Sequence, residues 1–152
     1  MADSAQPTII TVHSQRLDAL TAEAQARTWK TVLAITGQQP VDAPKSTEAL
    51  VAALATCVIS GIQRESTAAG LQVDDVRVSA SGTRVMNGNG PLLTNLKVDV
   101  LVTSPEPEEK LHPILEALDH NGTVTNTLKL GQSIEIHYQI VAAAEEKMQS
   151  IG

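Results

Sequence analysis

The segment Ser46-Thr-Glu-Ala-Leu-Val-Ala-Ala-Leu-Ala-Thr-Cys57-Val-Ile-Ser-Gly-Ile62 decides the fold. Its residues are good helix formers. Ser46 suits the N-cap, and Glu48 lies in the first turn, where a negative charge meets the positive end of the helix dipole. The helix is predicted to run to about Ala69, with Gly70 as its C-terminal stop. Leu50, Leu54, Cys57, Val58, Gly61 and Ile62 recur at helical spacing, while Val51, Ile59 and several alanines cover much of the remaining circumference. A helix apolar nearly all round needs cover on every side, so it is expected to be central rather than peripheral.

Before this helix, Thr8–Val12, Leu20–Ala26 and Trp29–Ile35 are rich in β-favouring residues and read as strands. The run from Thr36 to Pro44 carries Gly37, Pro40 and Pro44 and reads as a loop. After the helix, Val73–Met86 and Leu93–Thr103 alternate apolar and polar residues. The turn Asn87-Gly-Asn-Gly-Pro91 joins them into a long β-hairpin. Ser104-Pro-Glu-Pro-Glu108 opens a second helix, predicted from about Glu106 to Asp119, with Leu111, Ile114, Leu115 and Leu118 on its apolar side. His120–Leu130 holds one or two helical turns, and Ser133–Val141 alternates as a last strand. The order of elements is α+β, in one domain spanning residues 1–152. Residues 1–7 are read as flexible and 142–152 as a short C-terminal helix or tail.

Composition narrows the chemistry. The chain has 152 residues, 42% hydrophobic and 18% charged, which is ordinary globular usage and enough length for a real core. A net charge of -6 without Lys/Arg clusters argues against phosphate-backbone binding, and Trp29 and Tyr138 are too few aromatics for a base-stacking platform, so no nucleic-acid partner is expected. A single cysteine allows no internal disulfide. His13, His112, His120 and His137 lack metal-site spacing, so neither a metal nor a cofactor is expected. Met1-Ala-Asp-Ser-Ala-Gln-Pro7 shows no basic region followed by an apolar run, and no uncharged apolar stretch approaches about 18 residues. A cytoplasmic protein without a membrane partner is the expectation.

Two segments together carry a resemblance: Pro44-Lys-Ser-Thr-Glu-Ala-Leu-Val-Ala-Ala-Leu-Ala-Thr-Cys57 and His120-Asn-Gly-Thr-Val-Thr-Asn-Thr-Leu128. With the order of elements between Thr8 and Val141, they make the chain resemble the OsmC/Ohr family. The resemblance implies an OsmC-like fold, with antiparallel sheets wrapped around a central buried Cys-bearing helix in an intertwined homodimer. It also implies a chemistry in which a first cysteine attacks a hydroperoxide, a second resolves the sulfenic acid as a disulfide, and an Arg/Glu pair organises the sulfur. Cys57 matches the attacking position. Gly122 stands where the resolving cysteine aligns, and Thr47 stands ten residues before Cys57, where hydroperoxide-reducing members carry a catalytic Glu. Glu48 follows it, and Arg27, then Arg16, are the arginine candidates by position in the N-terminal strands. His120 adjoins the segment of the second cysteine and is a candidate lining residue together with Thr47 and Gly122.

Physical chemistry sets conditions on this reading. Cys57 lies about 13 Å along the helix from Glu48 at roughly 1.5 Å per residue, whereas a helix dipole acts over its terminal turn. A buried cysteine is reactive at neutral pH only beside a cation, which tertiary or dimer contacts must bring. Taken alone, a cysteine on an apolar helix face is most often a packing residue, and Glu48 is an ordinary first-turn acid. Three readings follow. One is a redox or stress-response protein that reduces organic hydroperoxides at Cys57 with an external thiol; one is a non-catalytic dimer holding an apolar small molecule at its interface; one is another thiol-dependent reaction on the same scaffold.

Overall fold

The structure, a computed structural model, describes residues 6–36, 41–131 and 134–143. Residues 1–5, 37–40, 132–133 and 144–152 lie outside the described residues, and with them parts of the expected N-terminal stretch, loop, last strand and tail. The chain divides into two compact units, Met1–Ala49 and Leu50–Gly152.

The N-terminal unit is an antiparallel sheet in the order β1-β2-β3, formed by His13–Arg16, Thr21–Ala26 and Trp29–Ala34. Its first strand is not the expected Thr8–Val12. The carboxylate of Asp18 accepts the backbone N–H groups of Leu20 at 2.7 Å and Thr21 at 2.8 Å, closing a turn. That turn fixes the register His13↔Gln25 to Arg16↔Ala22. Turn geometry sets hairpin register, so the β-favouring run Thr8–Val12 falls outside the paired stretch. Ile9 and Ile10 are exposed there. The Leu20 N–H bond foremost, with Thr21 and the charge of Arg16 helping, holds the Asp18 carboxyl below its ordinary range. At the β2–β3 tip Arg27 adopts φ 52°, the left-handed conformation that two-residue hairpin turns require. The Pro44 carbonyl accepts Ala34 N–H at 2.9 Å, and a bridge between Ala34 and Lys45 leads the chain into helix α1, Ser46–Ala69. The N-cap position falls to Lys45 rather than Ser46. The Glu48 carboxylate reaches back to accept the Lys45 N–H at 2.7 Å, the reciprocal half of a capping box.

The C-terminal unit contains most of α1, then β4 (Asp75–Asn87), β5 (Gly90–Ser104), α2 (Glu108–Ala117), α3 (Thr123–Lys129) and β6 (Ile134–Ala142). Gly70, at φ 67°, ends α1 as expected, and Leu71 N–H donates to the Ser66 carbonyl at 2.9 Å in a Schellman arrangement. β4 and β5 form the predicted hairpin, antiparallel from Asp75↔Thr103 to Asn87↔Gly90. Its register shifts between Ser81 and Thr83, opposite Asn95 at φ 52°. A Cβ on Gly82 would stand 2.9 Å from both the Leu93 and Leu96 side chains, so glycine there lets those two close over the strand.

β6 corrects the expectation of antiparallel sheets. It pairs with β5 in parallel, from Leu96↔Ile134 to Ser104↔Ala142. The crossover through α2 and α3 returns the chain to the starting end of β5, and parallel pairing needs a connection of that kind. α2 begins after the expected Glu106, because a residue preceding proline is driven out of the helical region and Pro107 follows it. The Ser104 hydroxyl caps this approach by accepting Glu106 N–H at 3.1 Å while donating to the Gln72 carbonyl at 2.6 Å.

The core combines two periodicities. Leu54, Val58 and Ile62, one turn apart on α1, pack with the alternate residues Leu96, Val98, Val100 and Val102 of β5 and with Leu115, Leu118 and Ile134. Among the described residues this cluster covers one face of α1; Leu50 and Ile59 on the remainder are 41% and 36% exposed. Among the described residues α1 is the helix long and apolar enough to cross a membrane by length and composition, and its Leu54–Val58–Ile62 row is spent on the protein's own sheet.

Candidate functional site

Cys57 sits on α1 beside the core row, immediately before Val58, and its side chain is half-buried. Facing it is the start of α3. Gly122 occupies the N-cap of α3 with an extended backbone, φ -103° and ψ 130°, and is buried. A Cβ built on Gly122 would stand 2.8 Å from Cys57 Sγ and 3.1 Å from Thr125 Oγ1. Only glycine leaves the sulfur its present position, since that separation is inside ordinary van der Waals contact. One turn along α3, Thr125 is 1% exposed and directs its hydroxyl at the sulfur, Oγ1 to Sγ 3.9 Å.

The segment Leu118–Gly122 is tied down from both neighbouring helices. From α1, the Arg64 guanidinium donates to the Asn121 carbonyl at 3.1 Å and lies 3.4 Å from the Glu65 carboxylate. That carboxylate also accepts the Asn121 side-chain amide at 3.1 Å. From α3, Asn126 Nδ2 donates to the His120 carbonyl at 2.9 Å, and the Lys129 ammonium bonds both the carbonyl and the carboxylate of Asp119. Gly61 completes the seat, because a Cβ there would press on Leu118 Cδ2 at 3.0 Å and Asn121 Oδ1 at 3.3 Å. Each partly exposed bond is worth about 0.5–1.5 kcal/mol at most, but the set fixes where Gly122 and Thr125 meet the sulfur.

Of the candidates read from sequence, the structure brings Cys57 and Gly122 together. His120 lends its carbonyl to the strap, with its residue exposed. Glu48 caps α1 and Thr47 lies exposed in the first turn of that helix. Arg16 ends β1 near Asp18, and Arg27 forms the β2–β3 tip; these four belong to the N-terminal unit. The sequence reading missed Thr125, Arg64, Glu65 and Asn121. Thr125 carried a usable signal, lying three residues beyond Gly122 on the same face of a helix.

A second concavity of about 470 Å³ crosses the β4-β5-β6 sheet, lined by Arg77, Ser79, Asp99, Leu101, His137 and Gln139 among others. His137 there lies 3.5 Å from Asp99 and 3.4 Å from Glu135, all three partly exposed. Among the described residues no group of three or more His, Cys, Asp or Glu side chains could hold a metal ion.

Comparison with known proteins gives concordant results. A family model described as OsmC-like protein matches residues 37–147. Among solved structures, an OsmC-like protein from Mycoplasma pneumoniae superposes with a TM-score of 0.77 at 15% identity, over 90% of this chain and 99% of that one. An OsmC-like protein of unknown function from Vibrio cholerae gives 0.71 at 16% identity, over 89% and 100%. An organic hydroperoxide resistance protein from Elizabethkingia anophelis gives 0.68 at 12% identity, over 90% and 99%. At these identities the likeness is one of fold. No curated protein matches the chain.

Proposed function

The chain belongs to the OsmC-like protein family, and from that premise we propose that it is a redox protein of the stress response, in which Cys57 reduces organic hydroperoxides in a one-cysteine cycle. The observation that carries the reading is the apposition of Gly122 and Cys57. Gly122, which the family resemblance sets at the resolving position, is the residue whose Cβ would touch the sulfur. On this reading the attacking residue is kept opposite an emptied resolving position, and the sequence holds no second thiol. Structures of organic hydroperoxide resistance proteins share this fold, which supports the choice of substrate class.

In this cycle the Cys57 thiolate attacks the distal peroxide oxygen. The O–O bond breaks as the S–O bond forms, the sulfur is oxidised by two electrons, and the alkoxide leaves as the alcohol after taking a proton. An external thiol displaces the hydroxyl of the sulfenic acid as water, giving a mixed disulfide. A second external thiol releases Cys57 and departs as a disulfide. A free cysteine and a thiol supply both suit a reducing, cytoplasmic compartment. The exposed Leu50 and Ile59 of α1 support a homodimer that buries them.

The test is consumption of cumene hydroperoxide with dithiothreitol as reductant. The wild type turns over, and Cys57→Ser loses turnover entirely. Equal peroxide loss with and without Cys57 contradicts the proposal and returns the protein to the non-catalytic binding reading. The family's chemistry calls for an arginine to activate the sulfur, for which Arg27 and then Arg16 are the candidates. Substituting the activating one with alanine slows Cys57 alkylation at neutral pH by about tenfold or more, the scale on which a nearby cation shifts a thiol.

A further inference from the structure

Resting on that reading, we infer that Thr125 is the residue that holds the oxidised sulfur: its hydroxyl donates a hydrogen bond to the oxygen of the Cys57 sulfenate and keeps it from further oxidation until an external thiol arrives. Thr125 is 1% exposed, so its hydroxyl is cut off from water. Among the described residues the one hydrogen bond of that hydroxyl is the 3.9 Å contact to Cys57 Sγ. A thiol sulfur is a weak acceptor, and buried hydroxyls are ordinarily paired with a strong one.

An oxygen added to the sulfur on its Thr125 side changes this. It would lie between Sγ and Oγ1, where an O–H···O⁻ bond of about 2.5–2.7 Å replaces the long contact. Gly122 keeps this approach free of a side chain, because a Cβ there would crowd both the sulfur, at 2.8 Å, and the Thr125 hydroxyl, at 3.1 Å. The strap from Arg64, Glu65, Asn126 and Lys129 holds α3 so that Thr125 is already aimed when the oxygen appears.

The consequence is chemical. A sulfenate is itself a nucleophile, and attack on a second hydroperoxide would add a second oxygen, break a second O–O bond and leave sulfinic acid, which the external thiol does not reduce. A donated hydrogen bond withdraws electron density from the sulfenate and slows that step. Enzymes with a resolving cysteine remove the sulfenic acid within the chain; here the intermediate must wait for a thiol from solution.

The experiment treats the wild type, Thr125→Val and Thr125→Ser with graded cumene hydroperoxide. Dimedone-trapped sulfenic acid and sulfinic acid at Cys57 are then quantified by intact-mass and peptide mass spectrometry. Valine keeps the shape and removes the hydroxyl, serine keeps the hydroxyl, and circular dichroism confirms that both variants fold. In Thr125→Val the ratio of sulfinic to sulfenic acid is expected to rise about tenfold, the factor one charge-assisted hydrogen bond supports, with Thr125→Ser near wild type. A wild-type ratio in folded Thr125→Val overturns the role of Thr125 alone. An equal rise in folded Thr125→Val and Thr125→Ser also overturns it, since shape and not the hydroxyl then decides. Absence of any sulfenic acid in the wild type overturns the one-cysteine cycle itself.

Discussion

A methyl group on residue 122 would stand 2.8 Å from the sulfur of Cys57, closer than the two atoms can pack. Gly122→Ala forces the sulfur into another rotamer or shifts α3. It should destabilise the fold by about 1–3 kcal/mol as an overpacking change, while altering Cys57 alkylation more than the folded fraction. A denaturation midpoint and an alkylation rate measured on one sample check this. Gly122→Cys has the opposite outcome. Across a disulfide each Cβ lies close to the far sulfur, so a Cβ that stands 2.8 Å from Cys57 Sγ suits a covalent link. Mild oxidation should join Cys57 to the introduced cysteine, read as a loss of both free thiols in a non-reducing peptide map. Persistence of two free thiols would show that the two positions do not meet. At this scale the sequence displayed Cys57 through its solitary thiol and Gly122 through its place before Thr123-Val-Thr-Asn126. Thr125 showed only through its place one turn beyond Gly122, because a buried threonine in a polar run otherwise looks like any helix-surface threonine until tertiary packing turns it inward.

At the scale of elements, α1 and β5 carry the energetics. Leu54 is fully buried in the cluster that joins them, so Leu54→Ala should cost about 2–5 kcal/mol in chemical denaturation, whereas Leu50→Ala on the exposed side should cost far less in the isolated chain. The β1–β2 turn adds a pH dependence of known sign. Hydrogen bonds to the carboxylate depress the Asp18 value in the folded state. The contribution is therefore complete above the ordinary aspartate range and is lost as pH falls through the lower folded value. Protection of the Leu20 and Thr21 amides against exchange, measured relative to the intrinsic rate at each pH, should fall in acid in the wild type and be low throughout in Asp18→Ala. Asp18→Asn retains the acceptor oxygen and should lose the pH dependence.

The elements that periodicity or turn chemistry defines were legible: α1 with its Gly70 stop, the β4–β5 hairpin around Gly88-Asn89, and the helical turns after His120. The shift of the first strand was not, because β propensity favoured Thr8–Val12 while a side-chain-closed turn at Asp18 chose the residues that pair. The parallel entry of β6 was also hidden. Alternation along Ser133–Val141 reports which faces are apolar and not the direction of the neighbouring strand.

For the whole molecule, the uncovered side of α1 bears on assembly. A helix with Leu50 and Ile59 exposed next to a half-buried Cys57 is expected to be covered by a second copy, as the family resemblance implies. Light scattering on the wild type should give twice the 16.1 kDa chain mass. Ile59→Glu places a charge in the contact and should yield the single-chain mass, and a wild-type protein already at that mass contradicts the dimer. The central claim, that Cys57 is a peroxide-reducing thiol served from outside the chain, is tested most directly by following the mass of Cys57 through one turnover. Cumene hydroperoxide should add one oxygen at Cys57, dimedone should capture it, and added thiol should replace it by a mixed disulfide before restoring the starting mass. A Cys57 that keeps its original mass throughout, in folded protein and excess peroxide, would contradict the account.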